Sequence, residues 1–338
     1  MENIEKVFII QPILSDNFKV LHDEAVSLIE SAGAQYCGSC YQTIKEINPA
    51  TFIGSGKLAE IRANLDGLEG ISVLFNGDLS PSQTLNISAC LDDRKVIDRT
   101  TLILDIFARN AVSSEGKIQV ELAQLKYIYP RLKGKGAALS RLGGGIGSRG
   151  PGETQLETDR RHIRSRIKYL EKRLSETESR RNLQTFRRQK ENVKVIALVG
   201  YTNTGKSTLL NYLTGAEVLT KNALFATLDP TARKLDIEGV EFLLIDTVGF
   251  IQELPHSIVE AFKSTLESAV NCDLALFVAD AGGDYDMQLK TTVDTLYSLG
   301  FNKKTIKVLN KCDTVKDLSV FRPIALLFRQ RADTESVS

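Results

Sequence analysis

The chain has 338 residues, 42% of them hydrophobic and 25% charged, with a net charge of +1. That length supports two or three domains with cores of their own, and the composition excludes a disordered or collagen-like polymer. No apolar run nears the roughly 20 residues of a membrane-spanning helix, MENIEKVFII lacks the pattern of a signal peptide, and five cysteines, an odd number, read as reduced thiols of a cytoplasmic protein.

Residues 1–116 alternate short β-rich runs with helical patterns and are expected to form an α/β domain of parallel strands and crossover helices. KVFIIQPI (6–13) reads as a strand, followed by a helix carrying Val20, Leu21, Val26 and Leu28. TFIGSGKLAEI reads as a strand, a glycine turn and a helix start, and ISVLFNG as a further strand. PSQTLNISACL then reads as a helix and KVIDR as a strand.

Residues 117–191 change character. Ile118, Leu122, Leu125, Tyr129 and Leu132 recur at helical spacing, as do Ile163, Ile167, Leu170 and Leu174 further on. Eight glycines within 134–152 separate the two runs, so an antiparallel helical hairpin with a long glycine-rich loop is expected, its arginines facing away from the seam. Residues 126–190 hold 18 Lys/Arg against 6 Asp/Glu, so the block carries +12 while the rest of the chain sums to −11. A solvated helix usually interleaves both signs, whereas this imbalance fits nucleic acid.

From residue 192 to 338 the alternation returns, through VKVIALVG, KSTLLNYL, EFLLIDTVG, DLALFVADA, a helix near 287–299 and TIKVLNKCD. A second α/β domain with a mostly parallel sheet is expected. GYTNTGKST (200–208) follows its first strand and precedes a helix, which is the context of a phosphate-binding P-loop. Gly200, Asn203, Thr204, Gly205 and Thr208 belong to that loop, Lys206 would neutralise the β and γ oxygens, and Ser207 would ligate Mg²⁺.

Two later motifs choose the base. Asp246-Thr247-Val248-Gly249 ends one strand, so that Asp246 can reach the Mg²⁺ shell through water and the Gly249 amide can sense the γ-phosphate. Asn310-Lys311-Cys312-Asp313 ends another and resembles the guanine-specificity motif of GTPases. Asp313 can accept from N1–H and the exocyclic amine of guanine, and adenine would leave that carboxylate unpaired. GTP and GDP are therefore the expected ligands. Between the motifs lies FATLDPT, where Phe225 borders the nucleotide and Thr227 would complete the Mg²⁺ shell while the γ-phosphate is present; Thr231 is the alternative. Lys206, Thr227 and Gly249 form the expected catalytic set.

Phe250 stands where many GTPases place a glutamine to orient the attacking water, so slow intrinsic hydrolysis is expected, with Gln252 as a possible substitute. Asn203 resembles the asparagine of potassium-dependent GTPases, which adds K⁺ as a second expected ion. Cys37-Gly-Ser-Cys40 is a lone pair favouring no metal, and Gly54-Ser-Gly-Lys57 reads as a tight strand–helix turn.

GGGIGSRGPGETQLETDRRHIRSRI (143–167), with EGKIQVELAQL before it and DTVGFIQELPHSIVEAFKSTLE after it, closely resembles the HflX family of ribosome-associated GTPases. The resemblance covers nearly the whole chain. It implies a monomer that docks on the large ribosomal subunit and its rRNA, in ribosome splitting or rescue, with GTP hydrolysis stimulated there. Arg141, Arg149, Arg160, Arg161 and Arg164 would then be RNA contacts. Such GTPases end their guanine pocket in a Ser-Ala motif and carry a C-terminal extension. This sequence stops at ADTESVS, so Ser338 is expected either as the serine of that motif without its alanine or as a residue just before it, in a shortened pocket. The reading from another class is a nucleotide-gated ribosome-binding module with negligible turnover.

Overall fold

The computed structural model describes residues 4–140, 151–190, 193–216 and 223–315. They divide into two compact units, one of residues 1–109, 117–176 and 255–261, the other of 110–116, 177–254 and 262–338.

In the first unit, β1 (Lys6–Ile13) is followed by α1 (Phe18–Ser31), β2 (Gln35–Thr43), α2 (Ser55–Asn64), β3 (Ile71–Phe75), α3 (Pro81–Cys90), β4 (Val96–Asp98) and α4 (Arg99–Asn110). The strands form a four-stranded sheet in the order β2-β1-β3-β4, parallel throughout. Val7, Phe8, Ile9 and Ile10 are all buried, as expected of an inner parallel strand covered on both faces. α3 starts where Ser80 and Gln83 cap each other's backbone and Pro81 occupies the first turn.

One sequence expectation fails here. TFI forms no strand: Phe52, at φ +64°, makes only an isolated bridge to Asn48 and meets Phe75 edge to face with ring centroids 4.8 Å apart. The strand of this region is β2, QYCGSCYQT, which contains the cysteine pair. As an edge strand it is only partly covered, so its polar pattern carries no apolar run to betray it.

The basic region forms α5 (Ser114–Ser140) and α6 (Pro151–Lys190). Ile118, Leu122 and Leu170 make a buried seam against which Leu125, Ile167 and Leu174 pack. Ion pairs flank that seam, Arg166 with Glu121 at 2.6 Å and Lys126 with Glu171 at 2.7 Å. Arg141 and Arg149 lie outside the described residues.

The second unit holds β5 (Lys194–Gly200), α7 (Lys206–Thr214), β6 (Thr231–Ile237) and β7 (Val240–Asp246). After α8 (His256–Ala261), which belongs to the first unit, come α9 (Lys263–Val270), β8 (Leu274–Asp280), α10 (Tyr285–Ser298) and β9 (Lys304–Asn310). Its sheet runs β6-β7-β5-β8-β9, with only β6 antiparallel to its neighbour. Ile196, Leu198, Leu209, Leu210, Leu244 and Val278 form the core beneath it. The C-terminal ends of β5, β7 and β9 carry the three sequence motifs, at the edge where open parallel sheets bind their ligands.

Candidate functional site

β5 runs out at Gly200 and α7 begins at Lys206, so the loop between them turns within five residues. Asn203 and Gly205 take positive φ, +60° and +86°, to make that turn. A Cβ on Gly205 would stand 2.2 Å from Asn310 Nδ2, which excludes any side chain there. Asn310 Nδ2 donates to the Thr204 carbonyl at 2.9 Å, and Lys311 Nζ to the Asn203 carbonyl at 2.8 Å and to Asp280 at 2.8 Å. The motif at the end of β9 is thereby fastened to the loop after β5. Asp313 is exposed, in the 3₁₀ turn Cys312–Thr314.

Lys206 is 7% exposed and donates to the Tyr201 carbonyl at 2.7 Å and the Gly200 carbonyl at 3.2 Å. Burial pushes its ammonium down to about 8, against the pull of Asp246. Asp246 is fully buried, and burial pushes its carboxyl up, opposed by Lys206 and by the hydroxyls of Ser207 and Thr227. Ser207 Oγ donates to Asp246 Oδ2 at 2.5 Å and lies 3.0 Å from Thr227 Oγ1. Asp246 Oδ1 is buried with no hydrogen-bond partner among the described residues. A bare carboxylate oxygen beside two converging hydroxyls suits a hard, oxygen-ligated cation such as Mg²⁺.

Thr202, Asn203, the segment Gly205–Thr208, Phe225, Thr227 and Gly249 surround one cleft. Of the two threonines left open by the sequence, Thr227 reaches Ser207, whereas Thr231 opens β6 and pairs in register with Asp246. Gly249 passes so close to the loop that a Cβ would stand 2.8 Å from Thr202 Cα. Phe250 is 1% exposed; its amide donates to the Gly200 carbonyl and its carbonyl accepts from Thr202, at 3.1 and 2.7 Å. Gln252 is buried as well, its backbone amide donating to the Tyr201 hydroxyl at 3.0 Å.

Of the expected RNA contacts, Arg161 and Arg164 are exposed on α6, while Arg160 is half-buried. Arg160 and Arg164 lie over the Tyr129 ring, 5.4 and 5.7 Å from its centroid, so these two are turned towards α5 rather than away from it. Arg141, Arg149 and Ser338 lie outside the described residues. All the cysteines are free, and no group of three potential metal-ligating side chains of the His/Cys/Asp/Glu type occurs among the described residues. Lys57 is paired with Glu60 at 2.9 Å, and Gly54–Lys57 is the turn into α2. No helix among the described residues is long and apolar enough to cross a membrane.

Sequence reasoning missed the fastening of Phe225–Asp229. Asn110 Nδ2 donates to the Phe225 carbonyl at 2.9 Å, and the Asp229 carboxylate accepts from the amides of Val112 and Ser113, each at 2.8 Å. The only sequence signal is a polar cluster, NAVSSEG, which names no partner.

Three family patterns match the chain: "GTP-binding GTPase N-terminal" over residues 20–108, "GTP-binding GTPase Middle Region" over 110–188 and "50S ribosome-binding GTPase" over 195–311. The GTPase HflX of Caldanaerobacter subterraneus subsp. tengcongensis is 50% identical over 315 residues, covering 92% of this chain and 73% of that protein. The GTPase HflX of Escherichia coli is 44% identical over 300 residues, covering 87% and 70%. A GTP-binding protein from Sulfolobus solfataricus, solved with GDP, superposes with a TM-score of 0.52 at 26% identity, over 98% of this chain and 90% of that one. With a P-loop, a buried Asp246 and an Asn310 motif joined in one fold, and with 50% identity over 315 aligned residues to such a relative, the chain belongs to the HflX family of GTPases.

Proposed function

We propose that the chain hydrolyses GTP to GDP and phosphate and uses that step to time its contact with the large ribosomal subunit. The observation that carries the reading is the convergence of Ser207, Thr227 and Asp246 above the buried Lys206, with Asn310 tying the guanine motif to the same loop. The loop amides and Lys206 hold the β and γ phosphates. Ser207 and Thr227 would hold Mg²⁺ directly and Asp246 through water, and the ion offsets charge on the phosphate oxygens. Gly249 presents its amide to the γ-phosphate, and Asp313 with Asn310 and Lys311 receives the guanine. Phe225 borders the nucleotide. Ser338 would serve as a further base contact.

The +12 block between residues 126 and 190 supports rRNA as the docking partner, because phosphate neutralisation supplies most of such affinity. Arg141, Arg149, Arg160, Arg161 and Arg164 are its proposed contacts. A three-part division at 1–116, 117–191 and 192–338 is supported by family matches that break between 108 and 110 and between 188 and 195. The proposed setting is the cytoplasm, with the protein acting as a monomer in ribosome splitting or rescue. Cosedimentation with ribosomal subunits in GDP, GTP and a non-hydrolysable analogue tests this, since binding that ignores the nucleotide would remove the timing role.

The burial of Phe250 favours a second reading, a nucleotide-gated binding module with negligible turnover. Single-turnover hydrolysis with and without large subunits separates the two. Asn203, at the rim of the cleft, supports K⁺ as an auxiliary ion, and equal hydrolysis in potassium and sodium chloride would dismiss it.

A further inference from the structure

We propose that the connector Asn110–Gly116 is a working part of the GTP site, and that Asp229 is a positioning residue for Thr227 through its bonds to that connector. The inference rests on the GTPase reading above and extends it to residues outside the cleft.

The segment Phe225–Asp229 is held at both ends by one short stretch of chain. At the near end Asn110 Nδ2 donates to the carbonyl of Phe225, a buried residue held at φ +57°. At the far end Asp229 Oδ2 accepts from the amides of Val112 and Ser113, at 2.8 Å each, and Oδ1 accepts from the Ser113 hydroxyl. That hydroxyl in turn accepts from the Gly116 amide at 2.8 Å, capping the first turn of α5. Residues 110–116 accordingly group with the second unit, whereas the helical residues on either side group with the first.

Thr227 sits midway between the two fastenings, two residues from each, with its hydroxyl 3.0 Å from Ser207. Two residues of chain reach at most about 7 Å, so Thr227 cannot move far from Ser207 while both ends hold. The two ends differ in strength of seat. The Asn110 bond is partly buried, and the Asp229 bonds are at the surface, where water competes for them. The outer fastening is therefore the one that opens first when Thr227 loses its γ-phosphate-dependent place. The opposite direction follows by reciprocity: anything that shifts the start of α5 changes how well Thr227 is placed.

Gly116 makes this testable from outside the loop. A Cβ there would stand 2.2 Å from Asp229 Oδ1, so Gly116→Ala pushes directly on the carboxylate. Alanine is favoured over glycine in a helix, so a loss in this variant cannot be laid to a weaker α5.

The experiment compares wild type, Asp229→Ala, Asp229→Asn and Gly116→Ala in the full chain. Single-turnover GTP hydrolysis at saturating nucleotide is expected to slow by about ten-fold or more in Asp229→Ala and Gly116→Ala. GDP affinity should stay within about two-fold, because Thr227 serves only the triphosphate state. Asp229→Asn keeps one acceptor oxygen and should fall between. Amide hydrogen exchange supplies a readout independent of turnover: in wild type, the Val112, Ser113 and Gly116 amides should exchange more slowly with a non-hydrolysable GTP analogue than with GDP. Wild-type rates in both Asp229→Ala and Gly116→Ala, or exchange at 112–116 that ignores the nucleotide, would overturn the proposal. Failure of wild type to hydrolyse GTP would instead strike the GTPase reading, and the exchange comparison would still decide the positioning role.

Discussion

The side-chain amide of Asn310 donates to the main-chain carbonyl of Thr204 at 2.9 Å, joining the end of β9 to the loop after β5. The segments proposed to receive the base and the phosphates are thus tied to each other. Asn310→Ala would leave the buried Thr204 carbonyl without its donor, a loss of about 1–3 kcal/mol. GTP and GDP affinity should fall together, by roughly five- to hundred-fold, in a titration with fluorescent nucleotides. Asp313→Asn should behave differently, lowering guanine affinity while raising that for xanthine nucleotides, because the reversed hydrogen-bond polarity suits xanthine.

Lys206 gives the site a pH signature. Burial holds its ammonium at about 8 in the free protein, below the ordinary 10.5. Phosphate oxygens raise it again, so the free protein binds fewer protons than the complex at alkaline pH. Well below pH 8 the lysine is charged in both states and affinity is flat. As pH rises through 8, binding must take up a proton and affinity falls. Calorimetry in buffers of different ionisation heat should find proton uptake at about pH 9 and none from this residue at about pH 6.5. Lys206→Ala should abolish the uptake along with most of the affinity.

Phe250→Gln should not create a faster enzyme. Its main chain is fixed on both sides, to Gly200 and to Thr202, and the side chain is 1% exposed. A glutamine there would bury an amide in place of a ring, destabilising by about 1–3 kcal/mol from the polar group alone. A lower melting temperature and an unchanged or reduced hydrolysis rate are expected. A clear gain in rate would mean that position 250 swings out to the γ-phosphate.

The arginines proposed as RNA contacts on α6 divide into two kinds. Arg161 is free of the Tyr129 stack, whereas Arg160 and Arg164 are over that ring. Arg161→Glu should weaken ribosome association and reduce the salt slope by about one ion per lost phosphate contact. Arg160→Glu and Arg164→Glu should also loosen the stack with α5, by about 0.5–1 kcal/mol each. Measuring thermal stability beside subunit binding distinguishes the two effects.

The parts of the site that a sequence can announce are those built from local spacing. The loop after β5, the Asp246 motif and the Asn310 motif each end an apolar strand, and the structure places all three at one edge of one sheet. The apolar runs of α5 and α6 at helical spacing are equally legible, because Leu122 and Leu170 meet at the spacing that a helix imposes. β2 was not, since an edge strand needs no apolar run to pair with its neighbour. The contact of Asp229 with Val112 and Ser113 was invisible for a different reason: polar contacts between distant segments leave no periodicity behind. Whether Thr227 or Thr231 approaches Ser207 also turned on where β6 begins, a boundary that composition does not mark.

Asn110, Val112 and Ser113 are separated from their partners Phe225 and Asp229 by 115 to 117 positions along the chain. At a synthesis rate of roughly 5–20 residues per second, the connector waits on the order of ten seconds before its partners are made. The four strands of the first sheet are all complete by Asp98, so that sheet can close while the nucleotide half is still being translated. During that interval the Ser113 hydroxyl can already cap the first turn of α5. The GTP half therefore finishes folding onto a segment laid down long before it, and Thr227 gains its outer fastening only once Asp229 has been made.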